Sequence, residues 1–285
     1  MLTRRHFLIF LALTAVLALV VWGGREVRSM ANYTAADGPR FEGHDGPPPP
    51  EFDGTLKVIT WNIRFGKDVE TAVAELQTSP SLQNADILLL QEMDEQGVAA
   101  IAEELGYHYV YFPASIHSHH KRNFGNAVLS KWPISAAHKL LLPHENPSNE
   151  QRRNAARTAI SIAGQTLLLY SVHTETLWLP PGKRAAQAQA IAADILAQPA
   201  VDYVIVGGDF NTITAADVAA LENVLAQAGL ERMSAGAGAS VSVWGFEVAA
   251  DHLFARGFTP VDNGVYAETA ASDHYPVWAE LSVTD

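Results

Sequence analysis

From Leu56 onward, short apolar runs recur along the chain, and several of them stop at a polar or ionisable side chain. The clearest is Tyr203-Val204-Ile205-Val206, followed by Gly207-Gly208-Asp209-Phe210-Asn211. β-Branched and aromatic residues in a short block read as a buried strand. The two glycines read as a sharp turn, leaving Asp209 and Asn211 on a rim. A carboxylate and an amide two residues apart can hold a metal, a phosphate or a water. The same residue types also make ordinary turns.

The remaining runs alternate strand and helix. Strands are expected at 56–62, 86–92, 107–112, 126–130, 134–142, 157–162, 166–173, 251–255, 259–261 and 277–281. Helices are expected at 69–77, 98–105, 184–196 and 215–228, with polar loops at 117–123 and 143–154. Some strand pairs have a helix between them and others only a hairpin, as at Gly164-Gln165. That mixture implies mixed sheets covered by helices, not a purely parallel doubly wound fold.

The amino end is set apart. Thr3-Arg4-Arg5-His6-Phe7-Leu8 opens an apolar run over 7–22, a pattern that resembles a twin-arginine export signal. Residues 1–31 are expected to be a signal peptide or an uncleaved membrane anchor, with the body in the periplasm or held facing outward at the cytoplasmic membrane. Residues 32–54, with Pro47 to Pro50 in a row, are expected to be a linker. The folded domain is expected over 55–285.

The 285 residues include no cysteine, which excludes disulfides, thiolate zinc sites and a cysteine nucleophile. The formal net charge is −12. Four arginines and one glutamate in 1–31 leave the rest more acidic still, at −15. An acidic body lacks the usual electrostatic footprint of a nucleic-acid binder.

The polar strand ends form a chemical set: Asn62, Glu92, His173, Asp209, Asn211, Asp251, and the Asp273-His274 pair. Their types suit hydrolysis of a phosphate ester, which needs a divalent cation, an oriented water and donors to the equatorial oxygens. Glu92 and Asp273 are hard oxygen ligands, and Asn62 can bind metal or phosphate. Carboxylate and amide ligands favour Mg2+, with Mn2+ as a substitute, over zinc. Asp251 can hold the tautomer of His274.

Thr60-Trp61-Asn62-Ile63, Leu90-Gln91-Glu92-Met93, the stretch from Gly125-Asn126-Ala127 to Pro133-Ile134, Gly208-Asp209-Phe210-Asn211, Asp251-His252-Leu253-Phe254 and Ser272-Asp273-His274 resemble the endonuclease/exonuclease/phosphatase superfamily. The resemblance spans roughly 55–282 and follows the family's order. It implies a four-layer α/β/β/α sandwich of two mixed sheets flanked by helices. It also implies Glu92 as principal metal ligand, with Asn62 and Asp273 completing or adjoining the site. Asp209 would orient or deprotonate the attacking water. Asn211 and His173 would bind phosphoryl oxygens, and His274, paired with Asp251, would act as acid/base or transition-state donor. Arg157, Asn126 and Arg184 match looser substrate-binding positions.

His117, His119, His120, Lys121 and Arg122 read as a solvated loop, with phosphate contact or a second metal as the sharper alternatives; Arg152 and Arg153 read as solvated. Trp178-Leu179-Pro180-Pro181 reads as an apolar loop beside His173. The expected activity is metal-dependent hydrolysis of a phosphodiester, with a lipid headgroup or other small ester preferred and nucleic acid as the alternative. A fold that had lost catalysis is a third possibility, disfavoured because no expected catalytic residue type is missing. No protein partner is expected.

Overall fold

The computed structural model describes residues 31–43, 46–176, 179–198, 201–243 and 245–284. The export or anchor segment, apart from Ala31, and Trp178 therefore lie outside the described residues. Among the described residues, no helix is long and apolar enough to cross a membrane.

The strands run β1 (Ala31–Asn32), β2 (Phe41–Gly43), β3 (Thr55–Asn62), β4 (Ile87–Met93), β5 (His108–Ile116), β6 (Asn123–Ser130), β7 (Ile134–Glu145), β8 (Arg152–Ile162), β9 (Gln165–His173), β10 (Tyr203–Asp209), β11 (Glu231–Arg232), β12 (Val241–Val243), β13 (Phe246–Val248), β14 (Asp251–Arg256), β15 (Phe258–Val265) and β16 (Val277–Val283). Among the described residues four α-helices accompany them: α1 (Val69–Thr78), α2 (Glu95–Leu105), α3 (Pro181–Leu196) and α4 (Ala215–Ala226). The first sheet has the order β1-β5-β6-β4-β3-β16-β15, with β2 also on β5; the second has the order β11-β14-β10-β9-β8-β7; β12 and β13 form a small hairpin.

Period-two alternation builds the layers. In β3, Leu56 and Val58 face the second sheet, where they meet Leu167, Leu169, Ile205 and Leu253. Ile59 and Trp61 face the other way, onto Val73 and Leu76 of α1 and Val98 and Ile101 of α2. The second sheet repeats the scheme, with Tyr170, Val172, Val204 and Val206 packed on Ile191 and Ile195 of α3 and Leu221 and Leu225 of α4. The result is helices, sheet, sheet, helices, the expected four layers. Because both sheet faces are covered, the central strands are apolar on both sides.

Several boundaries differ from the sequence reading. Residues 32–54 are not wholly a spacer: β1 and β2 pair antiparallel with β5 at the edge of the first sheet. The expected loop 143–154 shortens because β7 runs to Glu145 and β8 begins at Arg152. Helix α2 starts earlier than expected because Asp94 caps it, its side chain accepting from Gly97 N at 2.8 Å. Gly207 and Gly208 are strand residues, not a turn. A Cβ at 208 would overlap the Val172 carbonyl, and one at 207 would fall 2.7 Å from Leu89 and Leu253 side-chain carbons. Glycine there lets β10 lie against β9 and against the facing sheet.

Candidate active site

Strand direction assembles the site. β3 and β4 are parallel, as are β9 and β10, so Asn62, Glu92, His173 and Asp209 all finish on one rim. β14 and β16 run the opposite way beside β10 and β3, so they begin on that rim. Asp209 therefore faces His173 on one side and Asp251 on the other as direct cross-strand partners. The turn before β16 delivers Asp273 and His274. That turn is pinned: Ser272 Oγ donates to Asn62 O at 2.7 Å, Trp61 Nε1 donates to His274 O at 2.9 Å, and Tyr275 N donates to Ser240 O at 2.6 Å.

Asp209 is the hub, and it is buried. Its Oδ2 accepts from Asn62 Nδ2 at 3.0 Å and lies 3.4 Å from His173 Nε2 and 3.8 Å from His274 Nε2. Its Oδ1 accepts from Asn211 N at 2.9 Å. Asn211 takes φ 51°, a left-handed conformation that asparagine tolerates, and its amide donates to Thr174 O at 3.1 Å. Burial, and then the nearby Asp251 carboxylate, push the Asp209 carboxyl up to about 7.

His274 Nδ1 sits 2.8 Å from Asp251 Oδ2. Ser240 Oγ donates to the same oxygen at 2.7 Å. Burial alone would lower the His274 pKa, but Asp251 and then Asp209 overcome it and raise it to about 10. His173 is the opposite case: burial, then Arg153 and His274, hold it well below the ordinary imidazole range, so it is neutral.

Glu92 occupies a β-bulge, where the register of β4 on β6 shifts between Leu90 and Met93. Its φ of 57° is costly for a non-glycine residue and turns the side chain onto the rim. Burial raises its carboxyl above the ordinary range, with Asp273 adding to the rise and Arg153, His274 and the Asn62 amide opposing it. Asp273 is half exposed and paired with Arg64 Nε at 3.3 Å. A raised buried acid with a second carboxylate nearby fits a cation, which would relieve Glu92. Asp209, Asp251 and His274 also bring ligand atoms within 4.8 Å of one another. That triangle suits a proton better than a metal, because His274 between two carboxylates is held protonated and offers no lone pair.

Five expectations need correction. Arg157 does not reach the rim: it points to the outer helices and pairs with Asp194 of α3 at 2.9 Å, where Tyr170 Oη also donates at 2.8 Å. Arg153 is not solvated. It is buried, 3.3 Å from Glu175 Oε2, with Nη1 3.1 and 3.2 Å from the two ring nitrogens of His173. The loop 117–122 is not merely solvated either, since its rings pack on Phe65 and Phe124. Asn126 lies behind the rim, donating to Asn154 Oδ1 at 2.8 Å. Arg184 braces the turn after β10, donating to Asn211 O and Asp217 Oδ1 at 3.2 Å each.

The family model described as "Endonuclease/Exonuclease/phosphatase family" matches residues 59–274. The chain belongs to that family, whose members hydrolyse phosphoester bonds. No curated protein matches it by sequence. Among solved structures, a humanized D. rerio TDP2 superposes with TM-score 0.64 at 18% identity, covering 81% of this chain and 100% of that one. A family protein from Leptotrichia buccalis gives TM-score 0.63 at 19% identity, covering 80% of this chain and 99% of that one. D. rerio TDP2 complexed with single strand DNA product gives TM-score 0.64 at 16% identity, over 81% of this chain and 100% of that one. At these identities the likeness concerns the fold.

Proposed function

We propose that the protein is a divalent-metal-dependent phosphodiesterase. The observation that carries this is Asp209: a buried carboxylate held near neutrality, contacted at once by Asn62, Asn211, His173 and His274. A base works best with a pKa near the operating pH. Asp209 takes the proton from the attacking water. Asn62 and Asn211 fix the orientation of its two oxygens. His274, kept charged by Asp251, donates to a phosphoryl oxygen as charge builds there. Neutral His173, packed on Arg153, offers a second donor. Glu92 and Asp273, with Asn62, are the residues to hold a hard cation, magnesium or manganese by ligand type. When bound, that cation supplies neutralisation of phosphoryl charge.

A lipid headgroup is favoured by the acidic body, by a membrane tether and by the lack of a basic groove. In the two loops beside the site Arg64 pairs with Asp273 at 3.3 Å and Arg122 with Asp94 at 2.6 Å, and exposed Lys67 and Lys121 stand next to them, which supports a polyanionic substrate instead. The fold shared with a TDP2 bound to a DNA product supports the same reading. The arginine pair and apolar run at the amino end support a place outside the cytoplasm; a periplasmic reporter fused after residue 60 that stayed inactive would refute export.

The test is hydrolysis of bis-p-nitrophenyl phosphate with magnesium, with and without chelator. Turnover that disappears in Asp209→Asn and in His274→Ala is expected. Wild-type turnover that survives either change sinks the reading. In a panel, single-stranded DNA is expected to be cleaved faster than sphingomyelin or glycerophosphodiesters, with rates falling steeply with salt. The reverse order would restore the lipid substrate.

A further inference from the structure

Beside the phosphoryl site lies a group of rings that the chemistry above does not use. Phe65 and His120 have centroids 4.4 Å apart, Phe65 and His117 4.8 Å, and His117 and His120 4.7 Å. Phe124 joins them to the site, 5.7 Å from Phe65 and 5.9 Å from His173, with Arg153 over its face at 5.4 Å. We infer that Phe65, His117 and His120 form a stacking subsite for the nucleobase of a nucleotide-containing phosphodiester. This rests on the phosphodiesterase reading and names its substrate class.

The platform is built, not incidental. Arg64 and Phe65 both take positive φ, 26° and 61°, in the short turn after β3. Such backbone persists only where its surroundings enforce it. The enforcing group is Arg122, which donates to Phe65 O at 3.0 Å and pairs with Asp94 Oδ2 at 2.6 Å. Asp94 is the cap of α2, so the turn is tied to a helix end. The histidine loop is closed by His117 N to Arg122 O and Lys121 N to His117 O, both at 2.8 Å. The backbone N–H groups of His119 and His120 approach His117 Nδ1 at 3.3 and 3.4 Å, leaving Nε2 to carry the proton of the neutral ring. Burial, then His120 and His119, lower His117 to about 4, so its face is uncharged at neutral pH.

The surrounding charge selects the occupant. Burial lowers His120, and the nearby charges of Arg122 and then Lys67 lower it further; Lys121 is exposed in the same loop. A quaternary ammonium headgroup would meet like charge there. An acyl chain would meet charged side chains and polar ring nitrogens. A nucleobase is flat, aromatic and uncharged, and it is tethered to the phosphate that the cations attract. Stacking on such a platform tolerates any base, because every base has a π face.

The experiment is proton NMR of thymidine 5′-monophosphate titrated with the full chain. Wild type is expected to shift the thymine ring protons upfield. Phe65→Leu and His120→Ala are expected to weaken binding about tenfold and shrink that shift, while Phe65→Tyr retains it. No upfield shift, or an equal shift in Phe65→Leu and His120→Ala, overturns the subsite and leaves the rings as packing. A second readout compares two methyl phosphodiesters, one on thymidine and one on abasic deoxyribose. The wild-type preference for the thymidine ester should collapse toward unity in both variants. Failure of the phosphodiesterase reading is scored separately, by bis-p-nitrophenyl phosphate turnover that Asp209→Asn does not remove.

Discussion

Replacing Arg153 by methionine isolates what holds His173 in place. Arg153 is 6% exposed and its partner Glu175 1% exposed. Glu175 also accepts from Asn146 Nδ2 at 2.9 Å and Thr176 N at 2.8 Å, so it stays in place when the arginine goes. The variant then buries a carboxylate without its counterion. Breaking such a pair costs about 3–5 kcal/mol, whereas removing both charges is often near neutral. For a domain of this size that is a fall in Tm on the order of 10 °C. Arg153→Met combined with Glu175→Gln should recover most of it. The pH dependence has a definite sign. Burial raises the Glu175 carboxyl, but Arg153 and its hydrogen bonds overcome that and leave it below its ordinary 4.5. A depressed carboxylate contributes stability above its unfolded pKa and loses it as pH falls through the folded one. The gap between wild type and Arg153→Met should therefore be full at pH 7 and narrow below about pH 4.5, where Glu175 takes up its proton. Thermal and urea denaturation across pH 3–8 measure this. A single variant as stable as wild type at pH 7, or a double variant no better than the single, would refute the reasoning.

Asp209→Asn should cost about 10²–10⁴-fold in kcat. It should also raise stability at pH 8 and change it little below pH 4, because a carboxyl raised from 3.8 to about 7 withdraws stability as pH climbs through that interval; a destabilised Asn variant at pH 8 contradicts the burial argument. Gly208→Ala should lose more than 2 kcal/mol or fail to fold, since the new Cβ meets backbone that cannot move aside; chemical denaturation tests it. Arg157→Met should lower Tm by a few degrees and leave kcat/KM within about twofold, as its partner Asp194 lies on the outer helix. A large kinetic loss there would return Arg157 to the substrate site.

The rim was legible in the sequence because its residues end strands whose apolar runs are unmistakable. Asn62, Glu92, His173 and Asp209 each follow such a run, and parallel pairing does the rest. Arg153 was hidden because Arg152-Arg153 is a doublet on which alternation acts silently. Arg152 meets Glu145 at the surface, and its neighbour turns inward to Glu175 and His173. No apolar residue marks which of the two faces in. Arg157 misled for a related reason: its strand is correct, but its register puts it opposite Tyr170, under α3. Phe65 and His117 lie 52 positions apart in loops that no periodicity relates, so only the tertiary brace through Arg122 brings them together.

β16 enters the first sheet one strand in from its edge. It lies between β3 and β15, so β3 waits for its partner until some two hundred further residues have been synthesised. His274 and Asp273 arrive with that strand. Until the turn before β16 is made, Glu92, His173 and Asp209 stand without Asp273 and His274 beside them. A chain truncated at residue 272 should be inert in the bis-p-nitrophenyl phosphate assay, and measurable turnover by it would show that the earlier strands suffice.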